Sequence, residues 1–391
     1  MNVWLLLIVS AVLHVCVGLR LLPDLAGWPF AQALMASVLV VSALLMPMGL
    51  MARRVVKSQL NNVLTWAGLL LMGLFSSIFV LTLLREAALL LFWLLSLWLK
   101  DLPLALFRTG SAEAVAGLAL LFTAVGFLNA RRTPAVVRID VPIKGLPLAL
   151  QGFTLAQISD LHVGPTIGHA YLQRIVNKVN TLRADVVAIT GDLVDGKVSE
   201  LAAHVAPLAG LTSRHGTFFV TGNHEYYSGA QAWIDELRRL GVTVLLNEHV
   251  VLHHGNRASA AQGDSQIMAP LVLAGVTDFS AHHFDEKHRS DPYAALEGAP
   301  PAALVRVLLA HQPRSAPAAL AAGFDLQLSG HTHGGQFWPW NLFVRFQQPF
   351  TAGLSKAQNL WVYTSRGTGY WGPPKRFGAP SEITAVRLVA S

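Results

Sequence analysis

The sequence predicts a helical membrane region of about four transmembrane spans over residues 1–132, followed by a layered α/β sandwich domain over residues 137–391. Apolar residues make up 53% of the chain and charged residues only 13%, far from the composition of an average soluble protein. Long apolar runs fill the first third, whereas short apolar runs alternate with amphipathic stretches from Val136 onward. With 391 residues, the chain is long enough for both regions to have a core.

Four apolar runs in the first third are long enough to cross a bilayer, which takes about 20 residues. They are Val3–Leu22, Phe30–Met51, Val63–Leu84 and Ala114–Ala130. The shorter apolar stretch Glu86–Leu99 is expected either to extend the third helix or to lie at the membrane interface. His14 lies within the first run, where we expect it to hydrogen-bond to a neighbouring helix.

Basic residues indicate the orientation of the spans. The second loop carries Arg53, Arg54 and Lys57, and the fourth span is followed by Arg131 and Arg132. Four spans place these two regions on the same side, and the more basic side of a membrane protein faces the cytoplasm. The sequence therefore predicts a multi-pass protein of the inner (cytoplasmic) membrane, with the α/β domain on the cytoplasmic side.

The charge distribution argues against a nucleic-acid partner. Up to Arg132 there are nine Lys and Arg against four Asp and Glu, whereas the remaining residues hold 20 against 18. A nucleic-acid-binding protein would carry its basic excess on the globular domain. The lipid bilayer is the expected partner instead.

Polar clusters in the α/β domain directly follow predicted strands, where such sheets place their ligand sites. These strands are Phe153–Ile158, Val186–Ile189, Thr217–Val220, Val305–Leu309 and Leu326–Leu328. The clusters contain Asp160, His162, Asp192, Asn223, His224, His311, His331 and His333. In extended chain, residues two apart lie on one face, so the pairs Asp-x-His and His-x-His can each enter one site.

The side chains in these clusters, His224 apart, offer carboxylate, imidazole and amide donors and no thiolate. Such donors suit Mn, Fe or Zn better than a soft metal. Seven ligands exceed what one ion takes, and two divalent ions bridged by a carboxylate would use them all.

The ordered blocks resemble those of the calcineurin-like metallophosphoesterase family. They are Asp160-x-His162, Gly191-Asp192, Gly222-Asn223-His224-Glu225, His311 and Gly330-His331-x-His333. The similarity extends from about Val137 to the C-terminus. The strings Gly330–Gln336 and Ser365-Arg366-Gly367, with Pro380-Ser381-Glu382-Ile383 downstream, resemble the bacterial membrane-associated branch with its YkuE- and YaeI-like phosphoesterases.

The resemblance implies a role for each residue. One metal would be held by Asp160, His162, Asp192 and His333. The second would be held by Asp192, Asn223, His311 and His331, so that Asp192 bridges the two. A hydroxide between the ions would attack phosphorus in line. His224 would bind no metal and would contact a phosphoryl oxygen or protonate the leaving group.

Other polar residues have two interpretations from the sequence. Asp195 and Asp278 follow strands and are expected either to orient ligating histidines or to belong to ordinary loops. The adjacent pairs His253-His254 and His282-His283 are assigned to the surface or to loops, because neighbouring side chains of a strand diverge.

Two aromatic strings stand close to the predicted metal ligands. Phe337–Phe346 begins directly after the last metal block, and Tyr370–Phe377 has a similar composition. They are expected either to belong to the core or to dip into the membrane interface, where Trp and Arg are favoured. On the second interpretation, Trp338, Trp340 and Arg376 contact substrate.

A phosphoester or pyrophosphate hydrolase acting on a lipid-linked phosphorylated substrate is the leading hypothesis. A phosphodiesterase or phosphatase for a soluble substrate is an alternative, in which the helices only set location. A non-catalytic metal-binding scaffold is a further alternative, which the complete ligand set and His224 disfavour.

Overall fold

A computed structural model of the chain describes residues 3–55, 59–99, 101–255 and 268–391. The chain divides into two compact units. The first comprises Met1–Arg131 with Gly372–Phe377, and the second comprises Arg132–Trp371 with Gly378–Ser391. The predicted domain limits place Gly372–Phe377 in the α/β domain, whereas this division groups that segment with the helices.

Four long helices form most of the first unit, and each contains a stretch long and apolar enough to cross a membrane. They are α1 (Val3–Leu21), α2 (Pro29–Val55), α3 (Gln59–Ser96) and α4 (Leu104–Arg131). Helix α3 runs without interruption through Glu86, so the stretch after the third predicted span extends that helix. Lys57, one of the basic residues that indicate the orientation, lies outside the described residues.

Polar side chains within the first unit bond to neighbouring helices. His14 Nε2 lies 3.0 Å from Ser42 Oγ of α2, and its ring stacks on Phe75 of α3 at a centroid distance of 3.6 Å. The helix-to-helix role predicted for His14 is therefore confirmed. Elsewhere in the first unit, the buried Arg85 of α3 pairs with Asp24, which follows α1, and with the neighbouring Glu86.

The segment Gly372–Phe377 packs among α3 and α4 of the first unit. Lys375 Nζ donates hydrogen bonds to Gly73 O at 2.9 Å and to Ser77 Oγ. A Cβ atom added at Gly126 would lie 2.6 Å from Lys375 Cγ, so only glycine admits the segment this closely. Because this packing depends on small residues far away in the chain, the local sequence gave no indication of it.

Twelve strands occur in the described part of the second unit. They are β1 (Ala135–Ile143), β2 (Thr154–Ile158), β3 (Val186–Thr190), β4 (Thr217–Val220), β5 (Thr243–Val244), β6 (Glu248–Gly255), β7 (Met268–Gly275), β8 (Val305–Leu309), β9 (Leu326–Ser329), β10 (Gly353–Ala357), β11 (Leu360–Thr364) and β12 (Glu382–Ala390). The helices are α5 (His169–Asn180), α6 (Val198–Val205), α7 (Asn223–Ser228), α8 (Ala230–Arg239), α9 (Ala316–Ala322) and α10 (Trp340–Phe343).

The strands form two mixed six-stranded sheets. Their orders are β1-β12-β2-β3-β4-β5 and β10-β11-β9-β8-β7-β6. Strands β2, β3 and β4 run parallel to one another, as do β7, β8, β9 and β11. The antiparallel pairs are β12 with β2, β6 with β7 and β10 with β11.

Apolar side chains from the two sheets share one core, which makes the second unit a sandwich. Leu155 and Val186 of the first sheet join Leu271 and Val307 of the second in one buried cluster. Strand β3 is buried along its whole length, as expected for a parallel strand covered on both faces. The predicted α/β sandwich is confirmed, and the carboxyl ends of its parallel strands carry the site.

Candidate metal centre

The predicted ligands follow the carboxyl ends of five parallel strands in the second unit. Strand β2 leads to Asp160 and His162, β3 to Asp192, β4 to Asn223, β8 to His311, and β9 to His331 and His333. In three combinations, His and Asp donor atoms come within 4.8 Å of one another. The combinations are Asp160–His162–His333, His162–Asp192–His224 and Asp192–His311–His331.

The backbone of the ligand residues is strained. Several of them have a positive φ, between 50° and 70°, which L residues other than glycine adopt rarely. They are Asp160, His162, Asp192, His331 and His333. Such conformations cost about 1–3 kcal/mol each and persist where the surroundings enforce them, typically at functional sites.

Glycine at position 191 lets the ligand loops approach one another. Its φ is 82°, and a Cβ atom there would lie 2.6 Å from Gly222 N and 2.7 Å from His311 Nδ1. Any larger residue would push the turn that carries Asp192 away from the loops of the other ligands.

The first predicted metal site brings together Asp160, His162 and His333. His162 Nε2 lies 3.0 Å from His333 Nε2, which in turn lies 3.5 Å from Asp160 Oδ1. His162 Nδ1 bonds to the Asp195 carboxylate, so Nε2 of that ring carries the lone pair that points at His333. Donors that converge in this way suit a cation.

The second predicted site contains Asp192, His311 and His331. His311 Nε2 lies 3.2 Å from both Asp192 Oδ2 and His331 Nδ1. The other ring nitrogen, Nδ1, donates a hydrogen bond to Thr190 O at 2.8 Å. This bond fixes the tautomer in which the lone pair of Nε2 can coordinate a metal. Asn223 Oδ1 is buried nearby without a hydrogen-bond partner among the described residues, as expected for a metal ligand.

Asp192 lies between the two groups. Its Oδ2 is 3.2 Å from His311 Nε2 and 3.8 Å from His162 Nε2, so one carboxylate faces both sets of donors. The residues present therefore fit two cations that share Asp192.

Asp195 is an orienting residue rather than an ordinary loop residue. Its Oδ1 accepts hydrogen bonds from His162 Nδ1 at 3.0 Å and from His224 Nδ1 at 2.6 Å. The carboxylate thus fixes the ring of a predicted ligand and the ring of the predicted proton donor together. Asp278 is buried one step further out, where Gln312, the neighbour of His311, donates to it at 3.0 Å.

Glu225 supports the site in a way that the sequence did not predict. Its buried carboxylate accepts from the backbone amides of Asp192 at 3.0 Å, Leu193 at 2.8 Å and Gly222 at 2.6 Å. It therefore ties the β3 turn to the start of α7. A glutamate three residues after a helix N-cap is a known capping pattern, and that pattern was the available signal.

Burial and neighbouring charges shift the pKa values of two histidines in the site. Burial alone would lower the pKa of His224, but the charge of Asp192 and the hydrogen bond that His224 donates to Asp195 raise it to about 9. Its imidazole is therefore protonated at neutral pH in the metal-free protein. Burial and the nearby His311 lower the pKa of His331 to about 3, which keeps that ring in the neutral form that binds metals.

The predicted substrate-binding residues differ in exposure. Trp340 is exposed at the start of α10, and Trp338 is half-buried just before it. Arg376 is fully buried in the first unit, where its backbone amide donates to Gly126 O at 2.8 Å. A substrate contact of its side chain would require that segment to move. The two tryptophans and Arg376 remain predictions.

The assignment of His254 to the surface or a loop is wrong. This residue is buried in strand β6, where its Nδ1 lies 3.1 Å from His215 Nε2. The neighbouring His253 is exposed, because adjacent side chains of a strand point to opposite faces.

Comparison with known proteins connects this geometry to a family. The calcineurin-like phosphoesterase family profile matches residues 153–335, which include every predicted metal ligand. A Danio rerio protein named transmembrane protein with metallophosphoesterase domain is 39% identical over 307 residues, which cover 74% of this chain and 68% of the relative.

Two further relatives share the same region. The Bos taurus protein of the same name is 43% identical over 277 residues, covering 69% of this chain and 61% of the relative. The Bacillus subtilis metallophosphoesterase YkuE is 27% identical over 252 residues, covering 62% of this chain and 81% of the relative. The chain thus spans about three fifths of the bovine relative's length.

Proposed function

Because the chain belongs to the calcineurin-like phosphoesterase family, we propose that it is a membrane-anchored phosphoester hydrolase that uses two divalent cations. The convergence of Asp192 with donors of both groups is the observation that carries this proposal. Asp160, His162, Asp192 and His333 would hold one cation, and Asp192, Asn223, His311 and His331 the other. Mn, Fe and Zn all match these donors.

Bound cations of this kind activate water and offset charge on the phosphoryl oxygens. The protein's own residues fix the geometry for this chemistry. Asp195 holds the rings of His162 and His224 in place, and Glu225 holds the turn that carries Asp192. The reacting phosphoryl group would then lie beside His224.

His224 is the proposed proton donor. Its Nε2 lies 3.9 Å from Asp192 Oδ2, while Nδ1 is occupied by Asp195. Nε2 is therefore the nitrogen that would deliver the proton that a leaving alkoxide needs. A general acid of this kind accelerates a reaction by about 10²–10⁴-fold.

The proposed substrate is a phosphoester or pyrophosphate on a lipid-linked molecule. Support comes from the exposed apolar residues Trp340, Leu342, Phe343 and Phe346, which begin only a few residues after His333. Arg345 among them is exposed as well. Aromatic rings with nearby arginine favour the membrane interface, where a lipid headgroup would be presented.

Changing Trp340 and Phe343 to Ser should selectively weaken hydrolysis of lipid-presented substrate. Each ring contributes apolar area at an exposed position, so folding should be retained while interface contact is lost. We expect the ratio of kcat/KM for a phospholipid in mixed micelles to that for a soluble aryl phosphodiester to fall about tenfold or more.

The matched control for that double variant is Tyr293→Ser, an exposed aromatic of the same unit outside this segment. The control should leave the ratio unchanged. If the double variant and the control both hydrolyse the two substrates as wild type does, the substrate is soluble and the helices only set location. If wild type hydrolyses neither substrate despite bound metal, the scaffold alternative holds.

We further propose that the phosphoesterase unit faces the cytoplasm from the inner membrane. Support comes from Arg53 and Arg54 at the end of α2 and from Arg131 and Arg132 at the end of α4, which an even number of spans places on one side.

In a Cys16→Ser background, which removes the chain's single cysteine, Ala135→Cys tests this orientation. Ala135 is exposed at the start of β1. Its thiol should resist a membrane-impermeant maleimide in intact cells and react after the cells are opened. Equal labelling before and after opening would place the catalytic unit outside the cytoplasm.

A further inference from the structure

Two aromatic rings flank His224 in the second unit. The ring centroid of Tyr227 lies 5.3 Å from that of His224, and the centroid of Trp371 lies 5.9 Å away. The planes of both rings stand steeply to the imidazole, at 72° and 76°. Each therefore contacts His224 in a T-shaped arrangement and not by stacking.

Both rings are more exposed than a packing role requires. Tyr227 is 64% exposed and Trp371 is 54% exposed, and neither belongs to a core cluster of the described residues. Phe284, itself 51% exposed, extends the aromatic surface beyond Tyr227 at a centroid distance of 5.5 Å. The rings thus present aromatic surface to solvent directly beside the reacting centre.

The loops that carry the metal ligands also hold the two rings in position. Tyr227 lies one helical turn after His224 on α7, the helix that begins with the predicted ligand Asn223. The backbone of Trp371 exchanges two hydrogen bonds of 2.8 Å with the side chain of Gln336, three residues after His333. The position of each ring is therefore coupled to the metal centre rather than to a mobile surface loop.

We propose that Tyr227 and Trp371 bind the leaving group of the substrate and select one that carries a flat ring. The inference depends on the proposed function of His224. In that reaction the oxygen of water forms the new bond to phosphorus and one proton of that water is released to solvent. The bond from phosphorus to the leaving oxygen breaks, and His224 Nε2 gives its proton to that oxygen and is reprotonated by solvent. The leaving group ends next to His224, where an aromatic base or an aryl group would lie against Tyr227 or Trp371.

A pair of methyl phosphodiesters tests this selection. One carries a phenyl leaving group and the other a hexafluoroisopropyl leaving group of similar acidity, so that chemistry alone distinguishes them little. We expect wild type to favour the phenyl ester. In Trp371→Ala and Tyr227→Ala, the ratio of kcat/KM values should fall about 5- to 150-fold, the range reported for loss of one ring stack.

Conservative variants separate ring binding from support of His224. Trp371→Phe and Tyr227→Phe keep a ring and should largely retain the preference. Calorimetry with phenylphosphonate and methylphosphonate gives a second readout independent of turnover, and the alanine variants should lose the preference for the phenyl compound there too.

Three results would overturn the inference. Wild type could show no preference between the two esters. The alanine variants could hydrolyse both esters as wild type does, or they could slow both esters equally and so retain the wild-type preference. The last result would mean that the rings only tune the protonation of His224. Failure of the proposed function is distinct, because metal-loaded wild type would then hydrolyse neither ester.

Discussion

Asp192→Asn should leave the protein with at most one tightly bound metal per chain and reduce turnover by about three orders of magnitude. Asp192 Oδ2 faces donors of both groups, at 3.2 Å from His311 and 3.8 Å from His162. Its pKa lies well below the usual range: burial opposes ionisation, but His311 and His224 outweigh that effect. The amide of Asn keeps the shape and loses the charge that binds cations, and a cation contributes several kcal/mol to phosphoryl transfer.

The measurement is metal content by mass spectrometry together with kcat on an aryl phosphodiester. Asp140→Asn is the matched control, since Asp140 is an exposed aspartate of the same unit that pairs with Arg387. That control should keep wild-type metal and rate. Two metals and near-normal turnover in Asp192→Asn would rule out a bridging carboxylate.

His224→Ala should retain both metals and lower kcat by about a hundredfold or more, the usual size of a general-acid effect. The side chain meets Asp195 at 2.6 Å and stands 3.9 Å from Asp192, so it lies beside the metal donors. Good leaving groups need little protonation, and the loss should therefore shrink as the acidity of the leaving alcohol rises.

His253→Ala provides the control for this variant, because His253 is exposed on β6. Kinetics across a series of leaving groups and metal analysis are both needed. An equal loss for all leaving groups would indicate that His224 positions the phosphoryl group. A loss of metal would make His224 a ligand, a role that its place beside His162 and Asp192 also permits.

Sequence patterns were sufficient to predict that the candidate ligand residues converge. Strands such as Val186–Thr190 are short apolar runs, and polar residues directly after them must meet where parallel strands end. Thr217–Val220 and Val305–Leu309 have the predicted limits. The long helices are equally evident, because a continuous apolar run has few other interpretations.

Contacts between distant parts of the chain were not predictable in this way. The packing of Lys375 among α3 and α4 depends on Gly126, which leaves space for it, and on the carbonyl of Gly73, which accepts its hydrogen bond. Trp371 lies beside His224, and Gln336 hydrogen-bonds to its backbone there. Neither contact has a local signal, since each requires the positions of residues far apart in sequence.

Strand β6 shows a different limit. The divergence of adjacent side chains led to a surface or loop assignment for both His253 and His254, yet the strand pairs along its length with β7 and buries the His254 ring against His215. Tertiary pairing overrides local propensity in such strands. The role of Glu225 was likewise not predictable. Its carboxylate accepts hydrogen bonds from three backbone amides, and the sequence does not show where the turn at Asp192 lies.

The number of cations bound by wild type tests the central claim most directly. Chelator-stripped protein titrated with Mn²⁺ should bind two ions per chain, and electron paramagnetic resonance should show an exchange-coupled pair, because a shared carboxylate keeps the ions close. Saturation at one ion, or two ions without coupling, would contradict a centre bridged by Asp192.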